Sequence, residues 1–400
     1  MINVNKVENS LLFVVCQTGR GNGGVESITL VIERLKKFNP IILTNLDLPM
    51  NKRWENLGIK VYLLPSLHDP SPKKNIFLPY FLQEIIRWLK NNLYLYRFIK
   101  KSQVKIVHFN DIQGAFQGII PSKLTGTKIV FNIRDTKKPS ETYNWKWHLV
   151  TQLSDQILVL SQEMKTYIQN ALKIKKQEKI NYIYSSVNVE RFYPISPENK
   201  KELRSNLGID EATFAIGYIA SVNPKKNQLE LIRNGAKLLK SNIPKSKLYL
   251  VGDFQPAMNP YAKKCEETVA KLELQDYIDF VGYCSTVEQW YQALDIIIVV
   301  SIREGLARCM IESLTCGTPV VSFAVCSAKE ILQENKCGEV VELNDYKSLA
   351  DNVSKLSKNP ALLNQMRKQS ITVARNLFSE YNVNQYEEIY LNLQELTINS

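Results

Sequence analysis

Asp295–Ala324 reads DIIIVVSIREGLARCMIESLTCGTPVVSFA, and its punctuation decides the fold. Asp295–Val300 is an apolar, β-branched run of strand length. A polar loop, Ser301-Ile302-Arg303-Glu304-Gly305, follows it. Leu306–Thr315 then places Met310, Ile311 and Leu314 at helical spacing, and Gly317 with Pro319 stops it. Pro319–Ala324 is a second buried strand. The unit is βαβ, with Glu304 at the carboxyl end of its first strand and Glu312 inside its helix. In doubly wound sheets ligands bind at the carboxyl ends of strands, and a helix N-terminus offers N–H groups and positive potential to a phosphate. Gly305 lets backbone approach a ligand with no Cβ in the way. Two carboxylates thus flank an anion site. The plainer alternative is a solvated loop glutamate beside a helix-surface glutamate, since exposed charge is the default.

The same alternation runs outward from this unit. Phe214–Ala220 is a strand, followed by the polar turn Ser221–Asn227 and a helix through Leu239. Lys247–Val251 is a strand ending in Gly252-Asp253, Tyr261–Leu272 a helix, and Ile278–Val281 a strand ending in Gly282. Earlier in the chain, Leu11–Cys16, Pro40–Thr44, Lys60–Leu64, Val104–Phe109, Lys128–Ile133, Ser154–Leu160 and Lys179–Tyr184 are strands, and Val25–Phe38 is an amphipathic helix. Repeated strand–turn–helix units in both halves predict an α/β chain of two Rossmann-like domains facing each other across a cleft. Ser185–Pro197, with two prolines, is the linker candidate, which puts the domains at 1–188 and 189–379. The last helix, about Tyr381–Leu396, lies beyond the second domain's natural end and is expected to pack back on the first.

Four hundred residues, 44% of them hydrophobic, suit two to three globular domains. No apolar run reaches the roughly 18 residues of a membrane span. The opening MINVNKVENSLLFVVC has no small-residue cleavage site and reads as a first strand rather than a signal peptide. Seven scattered cysteines without a C-x-x-C pair, and only three histidines, favour a reduced cytoplasmic protein with no structural metal. The net charge of +12 implies attraction to polyanions but does not choose among nucleic acid, anionic lipid and phosphorylated substrates. Basic residues are dispersed and form no nucleic-acid module, so no nucleic-acid partner is expected.

Three further features bear on function. Gln17–Gly24 (QTGRGNGG) follows the first strand, and Gly19, Gly21 and Gly24 satisfy G-x-G-x-x-G, with Asp47 beyond the second strand. Two readings stay open: a dinucleotide fingerprint, or a phosphate-tolerant strand-to-helix turn. Lys73–Lys101 mixes seven aromatic residues with seven Lys or Arg and one acid. Such a helix either lies on an anionic membrane surface or packs on the core with snorkelling lysines. Finally, His108, Asn110 and Asp111 follow one strand of the first domain, and Arg134 and Asp135 another. Both sets point to one place if the sheet is parallel, although a lone strand-end histidine is often only a hydrogen-bonded structural group.

The order of these motifs resembles that of the retaining glycosyltransferases of family 4, which have the GT-B fold. The resemblance covers nearly the whole chain. Its most specific piece is E-x7-E, met by Glu304 and Glu312 inside S-x-x-E-G-L and I-E-S-L-x-x-G-x-P-V-V. Val251-Gly252-Asp253 looks like the family's strand-end V-G turn. Phe280-Val281-Gly282 with Trp290-Tyr291-Gln292-Ala293-Leu294-Asp295 looks like its F-x-G…Y-x-x-A-D segment, and Gly23-Gly24-Val25-Glu26 like the G-G-x-E turn of its acceptor domain. The resemblance implies transfer of a sugar from a nucleotide-diphosphate donor, UDP-type, with retention of configuration and without a metal or other cofactor. It implies contact of Glu304 with the donor sugar's hydroxyls, of Glu312 with the ribose, and of the Gly305 and Leu306 N–H groups with sugar or diphosphate. Lys226 falls on the diphosphate-binding lysine, and Ser221, Gly252 and Tyr283 complete the donor set. Gly23, Gly24, His108 and Arg134 are the candidates on the acceptor side.

The chain departs from the family pattern in three places. Ser221 stands where an arginine usually precedes the diphosphate lysine, which leaves the leaving group to Lys226 with Lys225 or Arg308. Arg134 stands where a histidine often follows the strand, and it cannot act as a base. Ser185-Ser186-Val187-Asn188 replaces the N-G-V-D turn. No D-x-D occurs, which argues against a metal-dependent transferase of the other major fold. The expected function is a retaining glycosyltransferase acting on a glycan or lipid-linked acceptor for surface polysaccharide, in the cytoplasm or peripheral on the inner membrane face. Two other classes stay in view: an NAD-dependent oxidoreductase or epimerase using Gly19–Gly24, and a non-enzymatic polyanion-binding protein.

Overall fold

The computed structural model describes residues 9–17, 23–67, 78–137 and 141–398. The chain divides into two compact units: Met1–Ser186 with Glu380–Ser400, and Val187–Ser379. Gly19 and Gly21 lie outside the described residues, so the glycine turn is seen only from Gly23 on.

The first unit is built on seven strands: β1 (Ser10–Val15), β2 (Asn39–Thr44), β3 (Lys60–Leu63), β4 (Ile106–Phe109), β5 (Lys128–Asn132), β6 (Gln156–Val159) and β7 (Ile180–Tyr182). All pair in parallel, in the order β3-β2-β1-β4-β5-β6-β7. A parallel sheet needs a crossover between consecutive strands, and helices supply it on both faces, which is why Leu11–Val15 can be apolar throughout and wholly buried. The helix Gly23–Arg34 stops short of the Phe38 expected from periodicity. The N–H groups of Lys36 and Lys37 instead donate to Glu387 Oε1 at 2.5 and 2.8 Å. Glu387 belongs to the last helix, Tyr381–Ile398, which packs its Val383, Tyr386, Tyr390 and Leu393 into the core of this unit.

The second unit has six parallel strands: β8 (Phe214–Ile219), β9 (Ser246–Val251), β10 (Ile278–Gly282), β11 (Ile296–Val299), β12 (Val320–Phe323) and β13 (Gly338–Val341). Their order, β10-β9-β8-β11-β12-β13, is the doubly wound one. Within the deciding stretch, the helix spans Arg308–Thr315, two residues later than the spacing predicts, because Leu306 and Ala307 are buried in a lengthened loop. Its stop is as read. Gly317, at φ +76°, donates to Leu314 C=O, and Thr318 donates to Ser313 C=O, a Schellman closure that needs the left-handed residue.

At the amino end of β11, Asp295 gathers three cations: Arg204 at 2.9 Å, Lys200 at 3.0 Å and Arg367 at 3.1 Å. The Ala215 N–H also donates to it at 3.0 Å. Burial would raise this carboxyl, but Lys200 and Arg204 hold it below the usual range. The helices Pro197–Asn206 and Pro360–Leu377 are thereby fixed to the base of the sheet.

Candidate functional site

In the second unit β8 and β11 are neighbours, but the chain leaves them in opposite directions, toward β9 and toward β12. Their carboxyl ends therefore bound the switch point where such sheets bind ligands. Loops 220–227 and 300–307 leave from these ends and are knitted together. Ile302 N–H donates to the Lys225 carbonyl at 3.0 Å. Tyr218 Oη donates to the Lys226 carbonyl at 2.6 Å and shares a hydrogen bond with Ser301 Oγ at 3.0 Å. Asn223 Oδ1 accepts from the N–H groups of Lys225 and Lys226, and its Nδ2 donates to Ser221 Oγ. Asn227, left-handed at φ +66°, anchors the far end of the loop on Tyr346 Oη.

This framework delivers two lysines to one carboxylate. Glu304, only 6% exposed, meets Lys226 Nζ at 2.5 Å and Lys225 Nζ at 3.6 Å. Burial alone would raise its pKa; Lys226 and then Lys225 outweigh burial and hold it below the ordinary carboxylate value. The group is ionised, and the cluster carries a surplus positive charge. Gly305 follows it with its carbonyl bound to Ser327 Oγ at 2.6 Å, and Leu306 turns its side chain inward. The helix Arg308–Thr315 then starts with no side-chain cap. On that helix Glu312 has both oxygens engaged: Tyr291 Oη donates to Oε2 at 3.0 Å, and the Arg308 guanidinium holds Oε1 at 2.7 Å. That orientation had no signal in the linear sequence, since Tyr291 lies on the preceding helix.

Gly252 and Tyr283 reach the same edge. The Gly252 N–H donates to Gly282 C=O at 3.0 Å, and Gly282, at φ +85°, turns the chain into a Tyr283 that is 70% exposed. A Cβ on Gly252 would stand 2.0 Å from the Ala220 carbonyl oxygen, so glycine is required there by the neighbouring backbone, which carries Ser221. Ser221, Lys226, Gly252, Tyr283, Glu304, Gly305 and Leu306 thus lie at the carboxyl ends of four adjacent strands, with Glu312 on the helix that follows. Asn223 and Tyr218 were not singled out by the sequence reading; the N-P-K-K turn after a strand was the available cue for the first.

The first unit corrects one expectation. His108 does not follow β4 but lies within it, wholly buried beneath the last helix, with Nδ1 sharing a 2.8 Å hydrogen bond with Tyr390 Oη. Phe13, Tyr386 and Tyr390 surround the ring. Burial, with the charge of Arg134 adding to it, pushes its pKa down to about 3. A neutral core histidine of this kind offers no group to a substrate. Asp111 is likewise committed, accepting from the N–H groups of Cys16 at 2.9 Å and Gly114 at 2.8 Å as the cap of helix Ile112–Leu124. What remains at this sheet's carboxyl edge is the helix start at Gly23 and Gly24, with Asn110 Nδ2 3.5 Å from the Gly24 carbonyl, and Arg134 beside Ser185 Oγ at 3.3 Å.

Two α/β units of doubly wound order, with a lysine-held carboxylate at the switch point of the second, define a GT-B glycosyltransferase architecture. Residues 50–191 match the family model Glycosyltransferase Family 4, and residues 199–373 match Glycosyl transferases group 1. The chain belongs to the family 4 glycosyltransferases. Relatives agree. The UDP-Gal:alpha-D-GlcNAc-diphosphoundecaprenol alpha-1,3-galactosyltransferase of Escherichia coli is 23% identical, over 79% of this chain and 83% of its own. EpsD of Bacillus subtilis (strain 168), assigned as a glycosyltransferase, is 26% identical over 75% and 80%. In fold, the chain superposes on a Rickettsia africae glycosyltransferase with TM-score 0.80, at 21% identity over 98% of this chain and 99% of that one. The Anabaena protein HepE, solved with UDP, gives 0.78, at 20% identity over 96% and 99%. The NAD reading is left with no support beyond the partly described glycine turn.

Proposed function

We propose that the chain transfers a sugar from a nucleotide diphosphate, a UDP-sugar, to a glycan or lipid-linked acceptor with retention of anomeric configuration, as a step in surface polysaccharide synthesis. The observation that carries this reading is Glu304 held between Lys225 and Lys226 at the switch point of the second unit. Without donor, the carboxylate partly neutralises the two lysines. An arriving diphosphate competes for both ammonium groups, and Glu304 is released to accept hydrogen bonds from two adjacent sugar hydroxyls. The lysines then stand where charge grows as the sugar–phosphate bond breaks, which is the role a metal serves in other transferases. Lys225 is the second cation that offsets Ser221. Glu312, aimed by Tyr291 and Arg308, is assigned to the ribose. Gly23, Gly24 and Arg134 are assigned to the acceptor side. The UDP complex of HepE and the lipid diphosphate named for the E. coli relative support the substrate classes.

Calorimetry with UDP and a panel of UDP-sugars, followed by anomer-resolved NMR of the product, tests the reading. Lys226→Ala should weaken UDP binding about tenfold or more, the worth of one charge-assisted contact. Glu304→Ala should still bind UDP and lose most turnover, and transfer should persist in EDTA. Full turnover in Glu304→Ala would sink the site assignment; a product of inverted configuration would sink retention.

A further inference from the structure

The helix Leu78–Ser102 has two different faces. One buries Asn91, Leu95, Phe98 and Ile99, so its packing on the unit is accounted for. The opposite side carries Leu82, Ile85, Ile86, Leu89 and Leu93, each between 39 and 54% exposed. At a rise of about 1.5 Å per residue this stripe is roughly 16 Å long. No other helix or strand among those described presents such a row of exposed large apolar residues. The row Leu82, Ile86, Leu89, Leu93 continues at helical steps into Arg97 and Lys100, with Lys90 alongside, all exposed. The helix contains five basic residues and one acid, Glu84, which is paired with Arg87.

A second observation extends the patch sideways. Next to Ile85, Trp88 tilts against Phe116 with ring centroids 6.1 Å apart, and Phe116 meets Trp145 edge-on at 5.3 Å. Trp145 is 63% exposed, and Lys146 Nζ sits 4.7 Å over the Phe116 ring. An exposed tryptophan beside an aliphatic stripe, with exposed cations around it, is chemistry suited to the boundary of a bilayer, where indoles sit at headgroup depth and lysines meet lipid phosphate.

We infer that this face, Leu82–Leu93 with Trp145 and the cations Lys90, Arg97, Lys100 and Lys146, docks the protein on an anionic bilayer surface. The helix lies in the interface and does not span it; no helix among the described residues is long and apolar enough to cross a membrane. Charge complementarity selects the occupant: a second copy of this face would set basic residues against basic residues. The inference stands independently of the transfer reaction.

The test is flotation of the full chain with phosphatidylcholine vesicles containing or lacking 30% phosphatidylglycerol, at low and high salt. Wild type should float with the anionic vesicles, about tenfold less at 0.5 M salt, and Trp fluorescence should shift blue by a component missing in Trp145→Phe. Ile86→Ser/Leu89→Ser and, separately, Lys90→Gln/Arg97→Gln/Lys100→Gln should each lower binding tenfold or more with unchanged circular dichroism and melting temperature. All changed side chains are exposed, so folding should survive. Equal flotation of wild type and both variants, or no flotation of wild type, overturns the inference. So does a wild-type dimer that the Ser variant turns into a monomer while vesicle binding stays the same.

Discussion

The neighbours of each buried polar side chain decide whether it keeps a charge in this fold. Glu304 and His108 are both buried, with opposite outcomes. The glutamate keeps its charge because two lysines face it, whereas the histidine has only Tyr390, aromatic rings and a nearby arginine, and stays neutral. The difference has a pH signature. An unfolded histidine takes up a proton near pH 6.5, and the folded one only near 3, so the unfolded state binds more protons between these values. Stability should be fully present above about pH 6.5 and fall as pH drops toward 3. Urea unfolding of wild type and His108→Phe across pH 3–7 should show this slope in wild type and a shallower one in the variant. Equal slopes would mean that His108 is not the group responsible. The sequence placed His108 at a strand end because I-V-H-F gives no sign of what covers it. The covering tyrosine is 282 residues away.

Elements were legible where local pattern and global role coincide. The buried strands of both sheets announce themselves as β-branched runs, and the Gly317 stop follows from the left-handed residue it needs. Helices such as Ile112–Leu124 and Trp145–Leu153 were not read, since their apolar residues are spread around the helix rather than confined to one face. Asp295 was legible as the start of a strand and the end of the Y-x-x-A-D segment, but not as the centre of a charge cluster. Its partners Lys200, Arg204 and Arg367 are too dispersed in sequence to suggest a cluster. The candidate site was suggested by its residues but not by its geometry: spacing picks out Glu304 and Glu312, but only packing shows Lys225 on the first and Tyr291 on the second. The Asp295 cluster yields a prediction about elements. Asp295→Asn leaves three cations around a neutral amide and should cost about 3–5 kcal/mol, read as a lower urea midpoint for the second unit with its m-value unchanged. The carboxylate's contribution should be present above about pH 4 and be lost as pH falls through its lowered folded value.

On the scale of the whole molecule, the chain passes between its units twice, once after Ser186 and again after Ser379. The two points are neighbours within the second unit, where Val187 N–H donates to Phe378 C=O at 3.0 Å. The second unit is therefore one continuous segment, while the first is closed by the helix Tyr381–Ile398. Removing that helix uncovers His108, Phe13 and Phe38, and takes away Glu387 from the Lys36 and Lys37 amides. Each large apolar side chain withdrawn forfeits about 1.5–3 kcal/mol. A chain ending at Ser379 should keep a protease-resistant second unit of unchanged melting temperature and lose protection across the first. Equal resistance of both units would show that the helix is dispensable.

The same arrangement sets an order of events during synthesis. The ribosome makes the first sheet early but adds the piece that covers it only after the whole second unit has been made. Until then β1, β2 and β4 carry an uncovered aromatic patch around Phe13 and His108. The second unit, being continuous, can finish folding before the first, even though it is encoded downstream. A stop codon just after Ser379 would leave the second unit intact and the first without its cover.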